Sequence, residues 1–216
     1  MYFLKIFAKA ISIILHPILI VTYGLLFLIW MNPFAFGSTN FQGAMAIYDV
    51  MVIRIFMSTA LLPAFGILVM KYLGFLEDFK MEDHQERIGP YIATSVFYLW
   101  IFYNTYNNPQ LPDVFKVFML AATIGLFVAF FINNFSKISV YTVGMGILLA
   151  MGIGHIFSDS SQNLILALQV IFILAGLMGT ARLILKTERP TDVYGGYMAG
   201  VISYIVASFV FTAFLA

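Results

Sequence analysis

The sequence predicts an all-α, polytopic membrane bundle of about seven transmembrane spans, and three observations carry that reading. The 216 residues are 62% hydrophobic and 10% charged, whereas a soluble domain carries about 25% charged residues. Mean hydropathy is +0.97. Seven apolar runs, near 9–31, 50–73, 90–107, 113–134, 138–157, 162–184 and 191–216, approach the roughly 20 residues a helix needs to cross hydrocarbon. Helices satisfy their own backbone hydrogen bonds there, and the runs lack the alternation of barrel strands. No repeat, linker or low-complexity stretch divides the chain, so residues 1–216 are expected to form a single integral membrane domain.

Lys5 and Lys9 precede the first run, which is longer than the apolar part of a signal peptide and has no A-x-A-like site after it. It reads as a retained extra N-terminal span with the N-terminus in the cytoplasm. His16-Pro17 marks a kink inside it, with His16 packed beside the kink, or lining a cavity as the alternative. Residues 32–49 read as a polar loop without Lys or Arg, and Arg54 can snorkel to that surface. Residues 74–90 form the longest charged stretch, ended by Gly89-Pro90 at the start of the third run. Asn107-Asn108-Pro109 turns the chain into the fourth, Asn133-Asn134 closes it, and Ser136-Lys137 leads into the fifth. Ser158–Ser161 forms a short far-side turn, and Lys186–Pro190 is the last loop. Late glycines, with Gly196 and Gly200 in small-xxx-small spacing, place the tightest packing around the last three spans. Trp30, Trp100, Tyr103, Tyr106, Tyr194 and Tyr197 suit the membrane interfaces or helix packing.

An even number of crossings separates the loops around 80–87, 137–139 and 182–192, so they share one membrane face. Nine of the eleven basic residues fall on that side, with Arg54 and Lys116 opposite. There are no cysteines, so neither disulfides nor cysteine-bound metals are available. The carboxylates show no recognised metal spacing, and no cofactor is expected. The net charge of +1 shows no nucleic-acid patch.

The three loops carry anion-binding chemistry. Lys80 and Arg87 are seven residues apart, two helical turns, which puts both on one face if that stretch is helical. A guanidinium grips two phosphate oxygens, and an ammonium acts as a point charge. Ser139 offers a hydroxyl at a helix N-terminus, where a simple N-cap is the alternative. Arg182 lies near the end of an apolar run, where an ion requires a partner, a function or a snorkelling route. Asp192 opens the last span and stands four residues after Glu188; helix-end stabilisation is its other reading.

Together these loops resemble the type-2 phosphatidic acid phosphatase superfamily, which includes lipid phosphatases and haloperoxidase-like proteins. Its signatures are K-x6-RP, PSGH and SR-x5-H-x3-D. Lys80 and Arg87 keep the first spacing, with the proline displaced to Pro90. Ser139 and Thr142 match the second, with Val140 for glycine and Tyr141 where histidine belongs. Arg182, Glu188 and Asp192 keep the third spacing, with Ala181 for serine and Glu188 for histidine. The resemblance covers about residues 50–216 and implies a six-helix phosphatase-like core preceded by the span at 9–31. It also implies that Lys80, Arg87, Ser139 and Arg182 bind phosphate. Glu188, Asp192 and Tyr141 then occupy the positions of nucleophile, orienting acid and proton donor.

Both family histidines are therefore replaced. A carboxylate such as Glu188 can attack phosphorus in principle, though a bound phosphate repels it. Tyr141, with a reference pKa near 10, is a poor acid at neutral pH. His84 lies between Lys80 and Arg87 and can enter the site, while His155 falls toward the opposite side. The expected function is binding of a lipid phosphate or isoprenyl diphosphate head, with histidine chemistry impaired or lost. An active membrane phosphatase with altered acid and base groups, and a non-catalytic membrane subunit, are the alternatives. The scarcity of intramembrane charge and the lack of inverted halves argue against a transporter. Expected partners are anionic membrane lipids and a membrane-protein partner or second copy, in a bacterial inner membrane.

Overall fold

The first apolar run breaks at His16-Pro17 instead of forming one rod. The computed structural model describes residues 2–75, 88–156 and 162–215, and every regular element among them is helical. In chain order these are α1 (Tyr2–Ile14), α2 (Ile20–Met31), α3 (Phe41–Phe56), α4 (Leu62–Tyr72), α5 (Ile88–Tyr106), α6 (Asp113–Asn133), α7 (Val140–Ile156), α8 (Gln162–Ile184) and α9 (Pro190–Val210). Proline cannot donate a backbone bond and crowds the preceding turn, so α1 ends and a 3₁₀ turn over Pro17–Leu19 bridges to α2. His16 Nδ1 accepts from the Ile18 amide at 3.4 Å, and Tyr23 Oη donates to the Ile14 carbonyl at 2.7 Å. Both halves lie against α8. The buried residues Ala8 and Ser12 of α1, with Leu15 just beyond its end, share one face.

The expectation of a polar loop over 32–49 is corrected. A 3₁₀ turn spans Pro33–Phe36, and α3 already begins at Phe41. Asn40 supplies the start signal: its side chain accepts from the Gly43 amide at 2.7 Å, which satisfies an otherwise orphaned donor. α3 and α4 make one long segment through a π turn over Met57–Leu61. The Leu62 amide reaches back to Met57, and Pro63, which cannot donate, sits directly after it.

All seven apolar runs contain helix. Five segments among the described residues have the length and hydropathy to cross a membrane: Phe3–Met31, Phe41–Tyr72, Asp113–Asn133, Leu164–Ile184 and Pro190–Leu215. Val140–His155 is apolar but shorter. In α5, Thr94, Ser95, Asn104, Thr105 and several tyrosines dilute the apolar character.

The centre of the bundle is α9 packed on α7 and α6, with α8 also packed on α7. Small residues permit this. A β-carbon on Gly146 would lie 2.5 Å from the Tyr197 carbonyl oxygen, and one on Gly200 would meet the backbone of Val143 and Ile147. Tyr197 packs on Gly179 and donates to the Ala175 carbonyl, which ties α9 to α8. Tyr106 similarly donates to the Leu215 carbonyl. These two tyrosines serve helix packing, whereas Trp100, Tyr103 and Tyr194 are exposed on the outer surface.

Candidate functional site

The second and third polar loops are stitched together at one end of α7, α8 and α9. The Ser139 amide donates to the Asp192 carbonyl at 3.2 Å. Lys137 Nζ donates to the Thr187 carbonyl at 2.7 Å, and Thr142 Oγ1 donates to the Val193 carbonyl at 2.8 Å. Gly196 makes the approach possible, because a side chain there would strike Thr142 and the Ser139 carbonyl. Residues more than forty positions apart in sequence are thereby held in contact on this face.

Arg182 leaves the last turn of α8 and meets Glu188 after the chain turns through Lys186, whose φ of 55° is left-handed. Its Nη2 lies 2.9 Å from Glu188 Oε1, with the two side chains only 12% and 6% exposed. The guanidinium Cζ sits 4.0 Å from the centroid of the Tyr141 ring, in cation–π geometry. Tyr141 also meets His16 edge-to-face at a centroid distance of 5.4 Å. A chain of contacts thus runs His16, Tyr141, Arg182, Glu188, drawing on the helix break, α7, α8 and the last loop.

This chain borders a cavity of about 950 Å³. Lys137 and Lys186 also line it, so three cationic side chains face one carboxylate among the described residues. Away from this polar end the walls are apolar, including Val21, Tyr98, Leu126, Val143 and Ile147. Pro90 and Tyr91, at the start of α5, complete the rim.

The positions singled out from the sequence therefore divide. Tyr141, Arg182 and Glu188 come together. Ser139 and Asp192 lie beside them but are fully engaged in structure. Ser139 Oγ accepts from the Thr142 amide at 3.3 Å, an N-cap of α7. Asp192 Oδ2 accepts from the Arg189 amide at 3.0 Å and caps α9, with Arg189 Nε at 3.8 Å. The Asp192 carboxylate thus serves the α9 terminus, while Glu188 takes Arg182. Lys80, His84 and Arg87 lie outside the described residues. Two cavity residues, Lys137 and Lys186, are not site residues on the sequence reading, and His16 takes its alternative reading of lining a cavity. Lys137 stands two residues before Ser139, a proximity that carried a signal; the approach of His16 to Tyr141 is a tertiary fact.

The capping role has a measurable consequence. Asp192→Ala removes a carboxylate that holds the first turn of α9, and a lost cap costs about 1 kcal/mol. Asp192→Asn keeps an acceptor and is expected to lose less than half of that. Thermal unfolding of the two variants in one detergent checks the order.

Chemically, the site offers a guanidinium with one nitrogen committed to Glu188, two ammonium groups, and an apolar extension. The ion pair with Arg182 holds Glu188 as a structural counterion, which opposes its use as a nucleophile. Among the described residues no cluster of His, Asp and Glu has metal-binding geometry. The fold and site define an all-helical protein with membrane-type helices and a cationic, apolar-walled cavity at one end. No protein-family model, no curated protein and no solved structure matches the chain.

Proposed function

We propose that this chain is a phosphatase-like integral membrane protein that binds the phosphate head of a lipid or isoprenyl diphosphate, without histidine-based turnover. One observation carries the reading: Arg182, Tyr141 and Glu188 meet, with Lys137 and Lys186 nearby, at the polar end of a cavity whose remaining walls are mostly apolar. An anionic amphiphile matches both halves, its head on the guanidinium and ammonium groups and its tail along α5, α6 and α7. The proposal extends to about seven spans, a six-helix phosphatase-like core and a bacterial inner membrane. Supporting it are the spacing of the three sequence motifs and the helical character of all seven apolar runs.

The test uses purified full-length protein in a neutral detergent, with dodecyl phosphate and farnesyl diphosphate as probes and dodecanol as the headless control. Both phosphates are expected to raise the unfolding temperature while dodecanol does not. A ligand at 100 times its Kd stabilises by about 2.7 kcal/mol. Release of inorganic phosphate is expected to stay at the buffer rate. Robust release, abolished by Arg182→Ala, would replace this reading with that of an active phosphatase. Equal responses to dodecyl phosphate and dodecanol would end the headgroup reading.

A further inference from the structure

The Arg182–Glu188 pair leaves two atoms over. Arg182 Nε and Glu188 Oε2 are both buried, and neither has a hydrogen-bond partner among the described residues. The first is a donor and the second an acceptor. Beside them, Nη2 donates to Oε1 at 2.9 Å, the one hydrogen bond between the two side chains. The Glu188 side chain is 6% exposed and borders the cavity. Buried polar atoms are costly when left unmatched, and these two ask for opposite things. A group that both accepts and donates a hydrogen bond satisfies the pair.

We propose that Glu188 is the specificity-determining residue of this cavity, admitting a phosphate head that still carries a proton and disfavouring one that presents only bare oxygens. The inference rests on the reading of the cavity as a site for phosphate amphiphiles. Both atoms are covered by protein in this structure, so the head reaches them once the Glu188 carboxylate turns toward the cavity it lines: in a hydrogen phosphate monoester, one P–O⁻ then accepts from Arg182 while the P–OH donates to Glu188. No bond breaks and no proton changes owner. A dianionic monoester has no P–OH and sets two negative charges beside the carboxylate. A phosphodiester has the right single charge but no hydroxyl.

The groups around Glu188 set the background for any pH dependence. Arg182 faces it from α8, and Tyr141 faces it from α7. Lys137 and Lys186 border the same cavity, as does His16, which packs edge-to-face on Tyr141. Arg189 and Asp192 sit at the adjacent α9 terminus, paired with each other. Of these, His16 is the group whose ordinary titration falls nearest neutrality, so its contribution must be separated from that of the ligand.

Two matched probes make that separation: dodecyl phosphate and its methyl diester, dodecyl methyl phosphate. The monoester loses its second proton near pH 6, whereas the diester stays monoanionic throughout. Affinity is measured by titration calorimetry on the intact protein in neutral detergent. Between about pH 6.5 and about pH 8.5 the hydrogen phosphate fraction falls on the order of 50- to 100-fold, and dodecyl phosphate affinity is expected to fall in proportion. The diester is expected to bind more weakly than the monoester at the lower pH, and its profile reports the protein's own groups. Glu188→Gln supplies an N–H that bare oxygens can use. It is expected to flatten the monoester profile beyond the diester's and to strengthen diester binding.

In the unmodified protein, a diester that binds as tightly as the monoester at the lower pH overturns the assignment. So does a monoester profile no steeper than the diester's. Those comparisons decide the matter even if Glu188→Gln fails to fold. If neither ester binds at any pH, the phosphate-amphiphile reading itself falls, and the selectivity of Glu188 falls with it.

Discussion

Arg182→Ala is expected to abolish the thermal response to dodecyl phosphate and to destabilise the unliganded protein. The first effect follows from removal of the guanidinium at the polar end of the cavity. The second follows from burial. Glu188 is 6% exposed and pairs with Arg182 at 2.9 Å; breaking a buried pair from one side costs about 3–5 kcal/mol, because a charge is stranded. Loss of the stacking on Tyr141 adds to this, a contact worth about 0.5–2 kcal/mol. Arg182→Ala combined with Glu188→Ala strands no charge, so it is expected to recover much of the stability while leaving the ligand response absent. That dissociation is the informative outcome. Stability lost equally in the single and double variants would mean that Arg182 acts by packing its alkyl stem. Arg182→Lys keeps the charge but not the planar fork, and is expected to retain a reduced response. Unfolding temperature with and without dodecyl phosphate reads all three variants.

The bundle was legible because hydrocarbon imposes simple demands. Apolar runs of sufficient length must be helical; α6 and α8 begin and end close to the expected boundaries, and α9 begins close to its own. The breaks were harder. His16-Pro17 announced a kink, but whether the chain bends or stops depends on what receives the freed backbone groups. Here Tyr23 Oη takes the Ile14 carbonyl and the helix stops. Asn40 is a sound N-cap, yet it stands next to glycine, serine and threonine, a composition that also reads as loop. At the site, motif spacing brought Tyr141, Arg182 and Glu188 together on paper, and they do converge in space. Spacing could not say which carboxylate pairs with Arg182. Asp192 was assigned an orienting role by position, but its oxygens are taken by the first turn of its own helix. Glu188, on the irregular segment just before α9, has the freedom to turn back. His16 and Lys137 enter the cavity through tertiary contacts that no periodicity encodes.

The second large effect is expected at Gly200, and the comparison with Gly195 on the same helix isolates its cause. Replacing glycine by alanine inside a helix gains about 1 kcal/mol from propensity in water. At Gly195 a β-carbon meets nothing within 4 Å, so Gly195→Ala is expected to be neutral or mildly stabilising. At Gly200 the same methyl drives into the Val143 carbonyl, with Ile147 N at 2.9 Å and Gly146 Cα at 3.0 Å. All three are backbone atoms, which cannot rotate away as a flexible side chain could. Relief requires α9 and α7 to separate, and such overpacking costs about 1–3 kcal/mol, enough to outweigh the propensity gain. Gly200→Leu is expected to cost more still. The separation reaches the cavity, because the Tyr141 ring under Arg182 belongs to α7 while the Glu188 segment is anchored to α9 through Arg189 and Asp192. Gly200→Ala should therefore weaken dodecyl phosphate binding from a position that does not line the cavity, whereas Gly195→Ala should leave binding intact. Equal stability of the two alanine variants would show that α7 and α9 do not meet through their glycine faces, and the convergence of the last two polar loops would then need another cause.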